Sequence, residues 1–138
     1  MAALTAERNT KKRQGGIRDF PVKANVKIFQ GALVVLDAGY AAPGRTATGL
    51  IAVGMATETI DNTGGLAGAV KAPIEEGCFL FGNSAAGDLI AQADVGQDCY
   101  LVDDQTVAKT SATNTRSRVG KIVAVEAAGV WVNIELGE

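Results

Sequence analysis

The sequence predicts an all-β domain. It is expected to be a small β-barrel or jelly-roll-like sandwich of about eight or nine short antiparallel strands, preceded by an extended N-terminal arm. Three observations predict it. Glycine is abundant, 17 of 138 residues, without the three-residue period of collagen, so turns are plentiful. The apolar residues, 47% of the chain, fall in short runs separated by turn-forming clusters. Nothing between those runs has the period of a crossover helix. A chain of 138 residues is one domain and buries roughly two-thirds of its unfolded surface, enough for a core without a metal or disulfide staple. Aromatic residues are only 5%, so that core is drawn mainly from aliphatic side chains, with much Ala and Val.

Residues 1–20 have almost no core-forming pattern, and the stretch from Glu7 to Gly16 is polar and charged. Fixing a residue costs about 1–2 kcal/mol of backbone entropy, and this segment has little apolar surface to offset it. A flexible basic arm over residues 1–20 and a β domain over residues 21–138 are therefore expected. Ile17 and Phe20 would anchor the end of the arm, and Pro21 would open the first strand.

From residue 22 the pattern sharpens. Val22, Ala24, Val26 and Ile28 alternate with polar residues, the period of a half-buried strand. Gln30-Gly31 offers a turn, and residues 32–36 form a continuous apolar run suited to a strand buried on both faces. Residues 39–48 read as an exposed loop, and residues 49–56 as the next strand. Asp61-Asn62-Thr63-Gly64-Gly65 is a strong turn cluster. Residues 67–74 and 78–81 read as strands, and residues 84–94 admit a short helix that Ser84 would cap and Gly87 would weaken. Residues 98–102 and 106–109 flank Asp103-Asp104-Gln105 as a hairpin, followed by an exposed loop over residues 110–118. Residues 121–125 and 130–135 flank Ala127-Ala128-Gly129 as a closing hairpin.

Little chemistry converges. The chain has no histidine, which removes Ser-His-Asp and Cys-His nucleophile systems and the common zinc sites. Asp103-Asp104 are adjacent, so in a strand they would point to opposite faces and would not share a proton; a solvated turn is expected there and at Glu75-Glu76. Gly64, Gly65 and Gly68 lack the Lys-Ser/Thr of a phosphate loop and suit unusual backbone angles instead. Cys78 and Cys99 have neither metal-ligand spacing nor an adjacent base, and read as reduced, buried core thiols; a disulfide is the lesser alternative. No catalytic residue, metal or cofactor is expected. No run of about 18 apolar residues spans a membrane, and the basic N-terminus lacks the apolar stretch of a signal peptide.

Charge is the one asymmetry. Residues 1–30 hold seven basic residues (Arg8, Lys11, Lys12, Arg13, Arg18, Lys23 and Lys27) against Glu7 and Asp19, so they carry +5 while the rest carries −7. A basic arm on an acidic body suggests that the arm meets something other than its own domain. Lys11-Lys12-Arg13 is short and has no interleaved aromatics to stack on bases, and the acidic body would repel a polyanion. Nucleic acid is therefore disfavoured against an acidic protein surface, with a solvated tail also open. Trp131 alternates with Val130, Val132 and Ile134. It either packs within its own domain or lies on the opposite face, covered by a neighbouring subunit or by the arm.

The order of several short motifs resembles a family. Gln30-Gly31-Ala32-Leu33-Val34, Asp37-Ala38-Gly39-Tyr40, Val53-Gly54 with Glu58, and Asp61-Asn62 with its glycines come first. Ala93-Asp94-Val95-Gly96, Cys99-Tyr100-Leu101-Val102-Asp103-Asp104 and Gly129-Val130-Trp131-Val132 follow in the same order. Together they resemble the capsid cement, or head decoration, proteins of tailed phages and prophages, including Mu-like phages, over roughly residues 22–135. The resemblance implies a small β domain on the outer surface of the head, made in the bacterial cytoplasm, without catalytic residues. It implies a homotrimer or homodimer that clamps neighbouring subunits of the major capsid protein. Within that reading the proposed shell contacts are Arg8, Lys11, Lys12, Arg13, Ile17, Arg18 and Phe20, and the proposed oligomer interface is Trp131. An extended arm of 20 residues would reach about 65–70 Å, enough to cross a seam between capsomers. The alternative is a small nucleic-acid-associated β-barrel binding through its basic arm.

Overall fold

A computed structural model of the chain describes residues 5–6 and 16–136. Its first sheet comprises β1 (Ile17–Pro21), β3 (Leu33–Asp37), β4 (Tyr40–Pro43), β5 (Ile51–Ala56) and β7 (Lys71–Glu75), in the order β1-β7-β5-β3-β4. The second comprises β8 (Gly77–Phe81), β9 (Asp98–Leu101), β10 (Val107–Ala108), β11 (Arg118–Glu126) and β12 (Gly129–Ile134), in the order β10-β9-β11-β12-β8. A third sheet pairs β2 (Lys27–Ile28) with β6 (Ile60–Asp61). All ladders are antiparallel.

The predicted all-β class is borne out, and the arrangement is consistent with a sandwich. No sheet closes into a barrel. Each large sheet curls until its two edges approach at a single bridge, Val22 with Ala41 in the first and Gly82 with Thr106 in the second. The twelve strands exceed the eight or nine expected because β1, β4 and β6 form where the sequence reads as arm, loop and turn cluster.

The apolar run at residues 32–36 becomes a strand covered on both faces, as expected. Leu33 and Val35 enter a core shared with the second sheet, where they meet Leu101, Ile122, Val130 and Val132. Val34 points the other way, into a core with Val22, Ile28, Val53 and Ile74 inside the curl of the first sheet. The same alternation places Ala42 and Ala52 in the shared core and Ala41 and Val53 in the other. Each large aliphatic side chain buried this way stabilises by about 1.5–3 kcal/mol, which suits a chain poor in aromatics. A two-residue turn at Ala38 (φ 50°) and Gly39 (φ 88°) closes the β3–β4 hairpin. The β11–β12 hairpin also forms as expected. It ends at Gly129, where φ is 150° and an added Cβ would collide with the carbonyl of Phe81 on β8.

Four local expectations are corrected. Residues 17–20 are not arm: Ile17–Pro21 pairs along its whole length with β7. The alternating stretch at residues 22–28 is broken by a turn. Asn25 takes φ 55°, its side-chain oxygen accepts from the Gly64 amide at 2.9 Å, and only Lys27–Ile28 continues as strand. Residues 39–48 are not all loop, since the small Ala41 and Ala42 allow Tyr40–Pro43 to pair with β3. Residues 84–94 form no α-helix. Ser84 donates to the Val107 carbonyl at 2.9 Å instead of capping. The Asn83 amide clasps Ile90 through both its backbone groups, at 2.9 and 3.0 Å, leaving room only for 3-10 turns at Ala86–Asp88 and Gln92–Asp94.

Candidate functional site

The outer face of the second sheet is built by strand parity. Val130, Val132 and Ile134 on β12 are fully buried, so Trp131 and Asn133 project from the opposite face. On β8 the large rings Phe79 and Phe81 turn inward, leaving Cys78 and Leu80 outside. On β11 a bulge between Ile122 and Ala124 inserts Val123 as an extra residue. Trp131 lies directly between Leu80 on one side and Ala124 on the other. Leu80 is 38% exposed and Val123 48%, with Trp131 and Ala124 half-buried between them, so an apolar stripe of Leu80, Trp131, Ala124 and Val123 crosses three strands. This is the outward placement of Trp131 that strand alternation allowed.

Charge borders the β11 part of the stripe on both sides along the strand. At one end Asp98 accepts from Arg118 at 2.7 Å and sits 2.9 Å from the Lys121 ammonium. Burial pushes the Asp98 carboxyl up, but the two cations together outweigh it and hold the carboxyl below its ordinary value. At the other end is exposed Glu126, beside the hairpin turn. An open cleft of about 260 Å³ lies next to this face, lined by Asp94, Gln97, Asp98, Tyr100 and Lys109. Its carboxylates are already engaged. Asp94 accepts from the Ala91 amide at 2.8 Å and lies 3.6 Å from Lys109, and Asp98 holds its two cations. The cleft offers cation-paired carboxylates rather than an unpaired base.

The shell-contact candidates divide. Arg8, Lys11, Lys12 and Arg13 lie outside the described residues. Ile17, Arg18 and Phe20 stand on β1, at the edge of the first sheet. Arg18 is committed to Glu76 at 2.8 Å, which lowers that carboxyl from its ordinary value. Phe20 packs against the second core, and Ile17 is 54% exposed. So β1 serves the domain itself first, and of these three Ile17 is the most available to a partner.

Other singled-out residues find structural work. The Asp103 carboxylate accepts from the Gln105 amide at 2.9 Å, the turn expected there. The glycine cluster surrounds Asn62, which is buried and donates to the carbonyls of Lys23 and Leu66 at 2.9 and 3.1 Å. The sequence reads Asn62 as one member of a turn cluster and does not give it this buried role, although an Asn inside a glycine turn is the type of residue that replaces backbone hydrogen bonds. Cys99 is buried as expected, and burial pushes its thiol up to about 12. Cys78 is corrected: it is exposed, because Phe79 and Phe81 take the inward parity of β8. Both thiols are free. Among the described residues no group of three or more metal-binding side chains converges, and no helix is long and apolar enough to cross a membrane. No protein-family model, curated protein or solved structure matches the chain.

Proposed function

We propose that this chain is a cement, or decoration, protein of a tailed-phage capsid, bound to the outside of the head and stabilising contacts between major capsid protein subunits. The observation that carries the reading is the ordered motif pattern across residues 22–135. Its members coincide with the turns and bulges of the scaffold: Ala38-Gly39 in a hairpin turn, Gly54 at the β3–β5 irregularity, and Asp61 to Gly65 around buried Asn62. A cement protein needs a stable β scaffold and surfaces for neighbours, and it needs no reaction. The two stacked cores suit the first requirement. The apolar stripe around Trp131 suits self-association, and the basic segment holding Arg8, Lys11, Lys12 and Arg13 suits an acidic seam on the shell.

The test is mechanical. Undecorated expanded shells are heated with and without saturating protein, and release of the packaged or entrapped contents is followed. The reading expects release to move to higher temperature, because a ligand that binds only the intact shell stabilises it by mass action. Unchanged release at saturation would contradict it. A steeply salt-dependent affinity for DNA in place of shell binding would transfer the assignment to a nucleic-acid protein.

A further inference from the structure

We infer that the stripe around Trp131 is a two-fold interface with a second copy of this chain, closed at each end by Lys121 of one copy against Glu126 of the other. The inference deepens the self-association reading above and commits it to a partner and a symmetry.

The outward residues along β11 fall in a fixed order. Lys121 is outward and pairs across to Asn133, Val123 and Ala124 stand beside Trp131, and Glu126 follows next to Gly129. The strand therefore reads positive, apolar, negative, with Trp131 beside its middle. Lys121 and Glu126 lie on either side of Ala124, each about one strand repeat of ~7 Å away. A two-fold axis in the plane of the face, running across the strands over Ala124 and Trp131, reverses that order in the second copy. Lys121 then faces Glu126 of the other copy, twice, and the two Trp131 rings meet near the axis.

The side chains fit that role. Lys121 is 52% exposed although it touches Asp98, and Asp98 keeps Arg118 when Lys121 turns outward, so no buried carboxylate is stranded. Among the described residues no cation lies within ion-pair distance of Glu126. A central tryptophan with aliphatic neighbours and a charged rim is the usual anatomy of an association surface. An isologous contact demands self-complementarity, which this row of residues has and a row with one sign of charge would lack.

The test uses the full-length chain and sedimentation equilibrium across a concentration series, without shells. The unsubstituted protein is expected to dimerise. Lys121→Glu and Glu126→Lys each place like charges together at two symmetric positions, and each should weaken dimerisation at least about tenfold. The double variant restores opposite charges and should regain most of the loss, although its contact with Asp98 is still missing. That recovery separates interface pairing from any local effect of losing the Asp98 contact, and it shows that neither substitution by itself prevents folding. A monomer at all concentrations overturns the inference, and so does a trimer. A dimer indifferent to the single variants, or single losses that the double variant does not recover, also overturns it. Shell binding is scored separately, so a protein that dimerises as described yet ignores shells would fail only the cement reading.

Discussion

Cys78 and Cys99 share a chemistry and meet opposite surroundings. Cys78 lies on the solvent side of β8, and Cys99 is enclosed in the shared core. One thiol per chain should therefore react quickly with a disulfide reagent, and the second only on unfolding. Two fast thiols, or none, would contradict the packing of these strands. The same burial has a consequence at high pH. The Cys99 thiol is pushed up to about 12, so above the ordinary thiol pKa the unfolded chain loses this proton before the folded one does. Its stabilising contribution is full below that ordinary value and declines as pH rises towards about 12. Cys99→Ala should flatten that decline in alkaline denaturation curves while creating a small cavity. The sequence reads both cysteines as buried core thiols, which holds for Cys99 and fails for Cys78. The run Cys78 to Phe81 is apolar throughout, so it has no alternation to read; Phe79 and Phe81 take the core because they fill it better. Gly129 is a sharper residue-scale test. With φ at 150° and the Phe81 carbonyl against its Cα, Gly129→Ala should cost at least about 2 kcal/mol in chemical denaturation, and an unchanged midpoint would refute the close approach.

At the scale of elements, β1 changes how the N-terminus is to be handled. The polar composition before residue 16 was legible, but the strand status of residues 17–21 was not. Ile17-Arg18-Asp19-Phe20-Pro21 has two apolar residues separated by charges, a pattern too short to distinguish from a linker. Only β7 supplies the ladder, and Arg18 finds Glu76 58 residues away. Removing residues 1–15 should leave the thermal unfolding midpoint unchanged within about a degree, whereas removing residues 1–21 should lower it by several degrees by stripping Phe20 and the edge ladder from the second core. Equal midpoints for the two truncations would show that β1 is dispensable. The closing hairpin was legible because Val130, Val132 and Ile134 alternate cleanly around Trp131 and a turn precedes them. The strand expected over residues 22–28 alternates equally well. It fails because Asn25, Gly64 and Asn62 form a hydrogen-bonded corner that the alternation does not encode. Non-local side-chain contacts decide such cases, and a single sequence does not display them.

At the scale of the whole molecule, the two cores explain why barrel and sandwich looked equivalent from the sequence. Each five-stranded sheet bends enough for its edges to approach at one bridge, and β3 and β5 feed side chains to both cores. Short strands and alternating apolar residues are common to both architectures, so only the pairing order separates them. The candidate site was legible in part. Trp131 was visible as the odd residue of an apolar strand, but Leu80 and Val123 join it through cross-strand register and a bulge. The function proposed for this scaffold is attachment through its outer surface. Co-sedimentation with undecorated, expanded cognate shells tests that claim most directly, comparing the full chain with one lacking residues 1–15. Saturable binding at a fixed number of copies per capsomer, weakened by the truncation, is expected. Failure of the full chain to bind its cognate shell would contradict it.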